Sequence, residues 1–418
     1  MSTLTAPQHS PQNLEAAPAT PAAPPQFPIT WLRGLAALVV LTFHAYQHNR
    51  SSTDGAWPWS GAAHQVMLGS ELFVDMFFVL SGFVLWLPVA GATLAGRTGR
   101  PGWVTLLRRM ARLLPLYYAI IVVVWAVTNP SLPGHWQDLL MHLTFTHIYS
   151  DQYIFWDAGP AWSLAVEFHF YVLMALSVPL VHAAVRRTTT TRSRLGVALA
   201  LPALLVLITA GYLLWATVLS SPDPTNWSVW FSPLAKAADF GIGMGLAVLS
   251  ARGVRLGRTA RVATGLVWVG ALVALTLNRP DTTLGAWWSP AYALAIAVAL
   301  SGIVLHDGPW PAAFGWRPLA WIGGLGYGIY LIHEPVMRLL DHLGVLPAAR
   351  PGPFFLVTAV LVGVVSTALA WVSSKTVETA GLKLLSAMEP DGRARDYYAH
   401  VEDDDQPATS RRRLAVIR

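Results

Sequence analysis

The sequence predicts an all-α, polytopic membrane protein with about ten transmembrane helices and both termini in the cytoplasm. Three observations carry this. Of 418 residues, 54% are hydrophobic and only 12% charged, about half the charge usual in soluble domains. The mean hydropathy is +0.47. The chain also holds 19 tryptophans and 12 tyrosines, residues that favour the membrane–water interface. A soluble globular enzyme is excluded on this composition.

Residues 1–26 are rich in Ala, Pro, Gln and Ser and contain no Lys or Arg. They read as a disordered arm, without the basic start of a secretory signal peptide. Crossing a bilayer takes about 20 mostly apolar residues. Runs that meet this lie near 28–48, 66–90, 112–129, 160–184, 195–220, 232–250, 261–278, 285–305, 317–340 and 353–374. The stretch at 137–149, QDLLMHLTFTHIY, is too short to span and is expected to be re-entrant or interfacial. The domains expected are thus the arm, a membrane domain over 27–380, and a polar, charged cytoplasmic tail over 381–418.

Charge fixes the orientation, because Lys and Arg gather on the cytoplasmic side. Arg97, Arg100, Arg108 and Arg109 follow the second run. Arg186, Arg187, Arg192 and Arg194 follow the fourth, and Arg252, Arg255, Arg258 and Arg261 the sixth. The alternate connections are nearly bare, and 130–160 and 220–231 have no Lys or Arg. The net charge of +6 is therefore topological, and no nucleic-acid partner is expected. With no cysteine in the chain, disulfides, thiolate nucleophiles and cysteine metal sites are ruled out.

Ionisable groups inside a bilayer are costly and mark working sites. In the first run, WLRGLAALVVLTFHAYQH, Arg33 and His44 are eleven residues apart, about three turns and ~16 Å of one helix face. They are expected to line an internal channel, with Arg33 at its cytoplasmic mouth. Glu71 and Asp75, Lys236 and Asp239, Glu167 and His169, and His333 and Glu334 fall at a depth similar to that of His44. A histidine beside a carboxylate suits proton abstraction from a hydroxyl, and arginines suit phosphate. A bound metal is not expected, since no His-x-x-x-His pair occurs within a run. A proton-coupled transporter also needs a buried polar layer and is the alternative. The GxGxG at 241–245 and the GGLGYG at 323–328 read as small-residue helix packing.

Several segments together resemble the acyltransferase 3 family of integral membrane acyltransferases. WLRGLAALVVLTFH matches its arginine–histidine spacing, and VDMFFVLSGFVL at 74–85 its FFxLSGF stretch. RRMARLLPLYY at 108–118, PAWSLAVEFHFY at 160–171, WIGGLGYGIYLIHEPV at 321–336 and KTVE at 375–378 follow in the family's order. Gly326 stands where that family has a serine, Ala380 where it has a proline, and His169 where Gln or Glu is commoner. The chain stops soon after the tenth run, so the resemblance is to the stand-alone form, without a periplasmic esterase-like domain.

The resemblance implies an O-acyltransferase of the cytoplasmic (inner) membrane, moving an acyl group from acyl-CoA, often acetyl-CoA, to a hydroxyl. Acceptors would be sugar-containing envelope glycans, glycolipids or macrolides. No bound cofactor is implied, and the oligomeric state is left open. His44 is the implied base and Arg33 a donor contact, with Asp75, Ser81, Arg109, Arg112, Glu167, Tyr330 and His333 as further candidates. On this reading Arg109 and Arg112 hold the donor's phosphates. Glu167 steadies His44, with Asp75 beside it as a catalytic candidate, and Ser81–Gly82 supplies oxyanion donors.

Overall fold

A computed structural model of the chain describes residues 26–278, 282–306 and 316–388. In order, the helices are α1 (Gln26–His48), α2 (Gly61–Gly69), α3 (Phe73–Leu94), α4 (Gly102–Thr128), α5 (Trp136–Leu143), α6 (Ala161–Val185), α7 (Thr191–Leu214), α8 (Trp227–Trp230), α9 (Pro233–Ala251), α10 (Arg258–Leu277), α11 (Trp288–Val304), α12 (Arg317–Gly324), α13 (Gly326–His342), α14 (Phe355–Lys375) and α15 (Val377–Met388). There is no strand among the described residues. Nine helical segments among them are long and apolar enough to cross a membrane, so this is a multi-pass membrane protein.

The ninth expected span is the one that breaks. Over 317–340 the chain forms two helices, α12 and α13, interrupted at Leu325 between Gly324 and Gly326. Glycines disfavour a continuous helix there. The third span also begins ten residues before the expected 112, so Arg108 and Arg109 lie within α4 and not in a connection. The arm and most of the expected tail fall outside the described residues. The first part of that tail, 381–388, completes α15. There a Cβ on Gly381 would sit 2.1 Å from the Ala111 carbonyl oxygen of α4.

The glycine motifs act as helix-packing points. A Cβ on Gly243 of α9 would stand 2.1 Å from the Val79 carbonyl oxygen, and one on Gly82 of α3 would stand 2.3 Å from that of Phe240. Each helix thus presents a glycine to the other's backbone, and the pair crosses in close contact. Gly323 of α12 meets the Thr30 carbonyl of α1 in the same way, at 1.8 Å. On the periphery, α10 turns Val262, Leu266, Val267 and Val273 outward, as expected of a lipid-facing helix.

Contacts between connections sort them onto two ends. The Gly99 amide donates to Nε2 of His182, and the Leu256 amide to the Leu305 carbonyl. These join the basic connections at one end. At the other, the Gly352 amide donates to the Pro58 carbonyl and the Ser228 amide to Asp151.

Candidate active site

A cavity of about 870 Å³ opens at the end away from the basic connections. It is built from the helix ends that the depth argument selected. α1 contributes Phe43 and His44, and the start of α3 contributes Val74 and Asp75. α9 adds Lys236, α11 adds Ser289, and α13 adds Tyr330, Glu334 and Arg338. Its mouth is strongly aromatic, with Trp57, Trp162, Trp227, Trp230, Phe155 and Phe231.

His44 lies on the cavity wall, and its Nδ1 is 2.8 Å from Nε2 of His333. Nδ1 of His333 is 3.2 Å from the Ile329 carbonyl, one turn back on α13. A carbonyl only accepts, so Nδ1 of His333 carries the proton. With both rings neutral, Nε2 of His333 is then an acceptor and Nδ1 of His44 must donate to it. That leaves the lone pair of His44 on Nε2. The arrangement fixes one tautomer of the ring, as a buried carboxylate does in a hydrolase triad.

Glu167 is elsewhere. It accepts from Ser81 Oγ at 2.5 Å, and makes no hydrogen bond or ion pair with His44. The expected Glu167–His44 pairing is therefore replaced by His333–His44. The reason lies on α6, where Ser163, Glu167 and Tyr171 recur every four residues and share one face. Ser163 donates to the Tyr330 hydroxyl at 2.8 Å, at the level of the cavity. Glu167 is one turn further from the cavity mouth, and Tyr171 one turn beyond that. Tyr171 lies beside Glu167 and faces Arg33 and Arg109. Arg33 in turn faces Arg109, Arg112, Glu167 and Tyr171, and Arg109 lies 5.8 Å over the Tyr171 ring.

The candidates thus fall into two groups. His44, His333, Asp75 and Tyr330 gather at the cavity. Arg33, Ser81, Arg109, Arg112 and Glu167 gather toward the basic end. They are joined by the polar face of α6. Ser81 spends its hydroxyl on Glu167, and Gly82 packs against Phe240, so neither is directed at the cavity as an oxyanion donor.

Asp75 is held by Lys236, whose Nζ is 3.0 Å away. Lys236 also donates to Ser289 Oγ at 2.7 Å, and Ser289 to Asp239 at 3.4 Å. All four are buried, and the Asp239 and Asp75 carboxyl groups lie close enough to interact. Two carboxyl groups around one ammonium form a paired polar cluster on the cavity wall. Lys236 and Asp239 were visible in the sequence as charges in an apolar run. Ser163 and Tyr171 were missed, and only their four-residue spacing around Glu167 signals them. On the same wall, Arg338 pairs with Glu334 at 2.5 Å and donates to the Asp157 carbonyl at 3.0 Å.

Comparison with known proteins follows the same lines. The acyltransferase domain model of the acyltransferase 3 family matches residues 28–375. The chain is 27% identical over 344 residues to YrhL of Bacillus subtilis, described as a candidate peptidoglycan O-acetyltransferase. That match covers 74% of this chain and 49% of YrhL. It is 24% identical over 343 residues to the peptidoglycan O-acetyltransferase OatA of Listeria monocytogenes, covering 73% of this chain and 49% of OatA. The chain therefore spans about half the length of these curated relatives. No solved structure matches it significantly.

Proposed function

The chain belongs to the acyltransferase 3 family, and from that premise we propose that it is a membrane O-acyltransferase. It moves an acetyl group from acetyl-CoA at the cytoplasmic side to a hydroxyl of a sugar-containing acceptor at the outer side of the cell membrane. Peptidoglycan and its lipid-linked precursors are the acceptors that the relatives' names support.

The observation that carries this reading is the relay ending in His44 on the wall of the aromatic cavity. Aromatic faces and a few placed polar groups suit a sugar ring. Glu71, Glu334 and Arg338 lie on the wall to meet its hydroxyls. With its lone pair on Nε2, His44 takes the proton of the acceptor hydroxyl as that oxygen attacks the thioester carbonyl. The imidazolium formed is hydrogen-bonded through Nδ1–H to His333 and returns the proton to the departing thiolate. Carbon–sulfur cleavage and carbon–oxygen formation then balance, with no other reactant. Arg33, Arg109 and Arg112 hold the donor's phosphates at the basic end.

The test uses membranes from cells expressing the full chain, supplied with radiolabelled acetyl-CoA. The expected result is alkali-labile label in the peptidoglycan or lipid-linked sugar fraction, abolished by His44→Ala at equal membrane expression. Transfer that survives in His44→Ala removes His44 as the base. Translocation of label without any ester formed would instead favour an exporter.

A further inference from the structure

The connection between α4 and α6 holds a second cluster that the acyl-transfer reading does not use. Asp138 and His142 are four residues apart on α5 and so share a face. Asp157 reaches them from the loop that leads into α6. One ligand atom from each of the three lies within 4.8 Å of the others. Asp138 and His142 are fully buried, and Asp157 is 1% exposed.

Three polar atoms of this cluster, His142 Nε2, Asp138 Oδ2 and Asp157 Oδ2, lack protein partners. Nδ1 of His142 is held by the Asp138 backbone carbonyl at 3.1 Å, which leaves the lone pair on Nε2, and Nε2 has no partner. Asp138 Oδ1 lies 3.1 Å from Nδ1 of His142, whereas Oδ2 of Asp138 and Oδ2 of Asp157 are buried without a hydrogen-bond partner. Asp157 Oδ1 has only Thr128 Oγ1, at 3.5 Å. The Arg338 guanidinium hydrogen-bonds backbone carbonyls and Glu334 and acts on Asp157 only without a direct bond to its carboxylate. His147 stacks on His142 with ring centroids 3.9 Å apart, and neither of its nitrogens has a partner. Buried polar atoms are ordinarily satisfied, and buried carboxylates ordinarily have a cation.

We propose that Asp138, His142 and Asp157 bind one divalent transition-metal ion of the zinc type. Two carboxylates neutralise its charge, and an imidazole nitrogen favours zinc-like ions over calcium or magnesium, which take oxygen. The Asp138 carbonyl that holds His142 Nδ1 is the outer partner that metal-ligating histidines ordinarily have. The competing occupant is a proton shared by the two carboxyl groups. Burial and the adjacent Asp138 push Asp157 up to about 8, the direction expected of a carboxyl pair without a cation. The ion would fasten the loop whose Asp157 carbonyl receives Arg338 and whose Gly159 forms part of the cavity wall. The site thus braces the cavity and takes no part in transfer.

The full chain, purified in detergent, is stripped with a chelator, reloaded with zinc and desalted, and its metal is counted by mass spectrometry. The expected result is about one zinc per chain, as a closed protein site takes one ion, with a melting temperature raised by zinc and not by magnesium. Asp138→Asn with Asp157→Asn is expected to lose the zinc. Wild-type protein that retains below about 0.1 equivalent after loading overturns the proposal, as does a double variant that holds as much zinc as wild type. If the variant does not fold, stripping and reloading of the wild-type chain decides alone.

Discussion

His44 on α1 and His333 on α13 face each other across the helix interface, Nδ1 to Nε2 at 2.8 Å. The Ile329 carbonyl behind His333 sets the direction in which the proton points along this pair. His333→Ala should therefore lower the transfer rate about 10²- to 10⁴-fold, the range seen when a catalytic histidine loses the group that fixes its tautomer. His44→Ala with His333→Ala should be no slower than His44→Ala alone. Steady-state transfer rates on matched membranes check both.

Arg33, Arg109 and Glu167 form the opposite group. Arg109→Ala should raise KM for acyl-CoA roughly 10-fold or more, the scale of one charge-assisted hydrogen bond. KM for the acceptor should stay within about twofold, since no contact to the cavity is lost. Arg109→Lys should recover only part, because a bidentate fork is replaced by a point charge. Kinetics varying each substrate separately distinguish this from a general loss of folded enzyme.

Lys236 pairs with Asp75 and is linked to Asp239 through Ser289. Lys236→Met leaves both carboxyl groups buried without a cation and should cost about 3–5 kcal/mol of stability. Adding Asp75→Asn to it should restore part of the loss. Detergent-solubilised melting curves of the two variants give the comparison, and equal melting would refute the pairing.

Gly243 and Gly82 let α3 and α9 touch backbone to backbone. Gly243→Val should destabilise by at least about 1–3 kcal/mol, as forced overpacking does, and reduce the folded yield. Gly245→Val, where a Cβ meets nothing within 4 Å, should be close to neutral. Folded yield by fluorescence-detected gel filtration separates the two positions.

Much of the architecture was legible in the residues. Apolar run length located the spans, and the arginine-rich connections do lie together at one end. The depth of His44, Asp75, Lys236 and His333 placed them at one cavity. What the residues did not disclose was partner choice. Helical spacing assigns Glu167 to an inward face, but not to a neighbour, and Ser81 on α3 holds it in place of His44. The start of α4 was misplaced because Arg108 and Arg109 look like a connection, whereas both lie within α4, with Arg109 turned onto the Tyr171 ring of α6. Asp138 and His142 carried a visible four-residue spacing, but Asp157, nineteen residues further along, joins them only through the fold.

The break at Leu325 gives α12 and α13 independent anchors. Gly323 seats α12 on α1, while Gly328 seats α13 on Ala370 of α14. A swivel at this joint would carry His333 toward or away from His44 without moving α12, so the alignment of the proton relay is set by how α13 leans on α14. A bulky side chain at Gly328 would thus quench chemistry from a position that touches neither substrate.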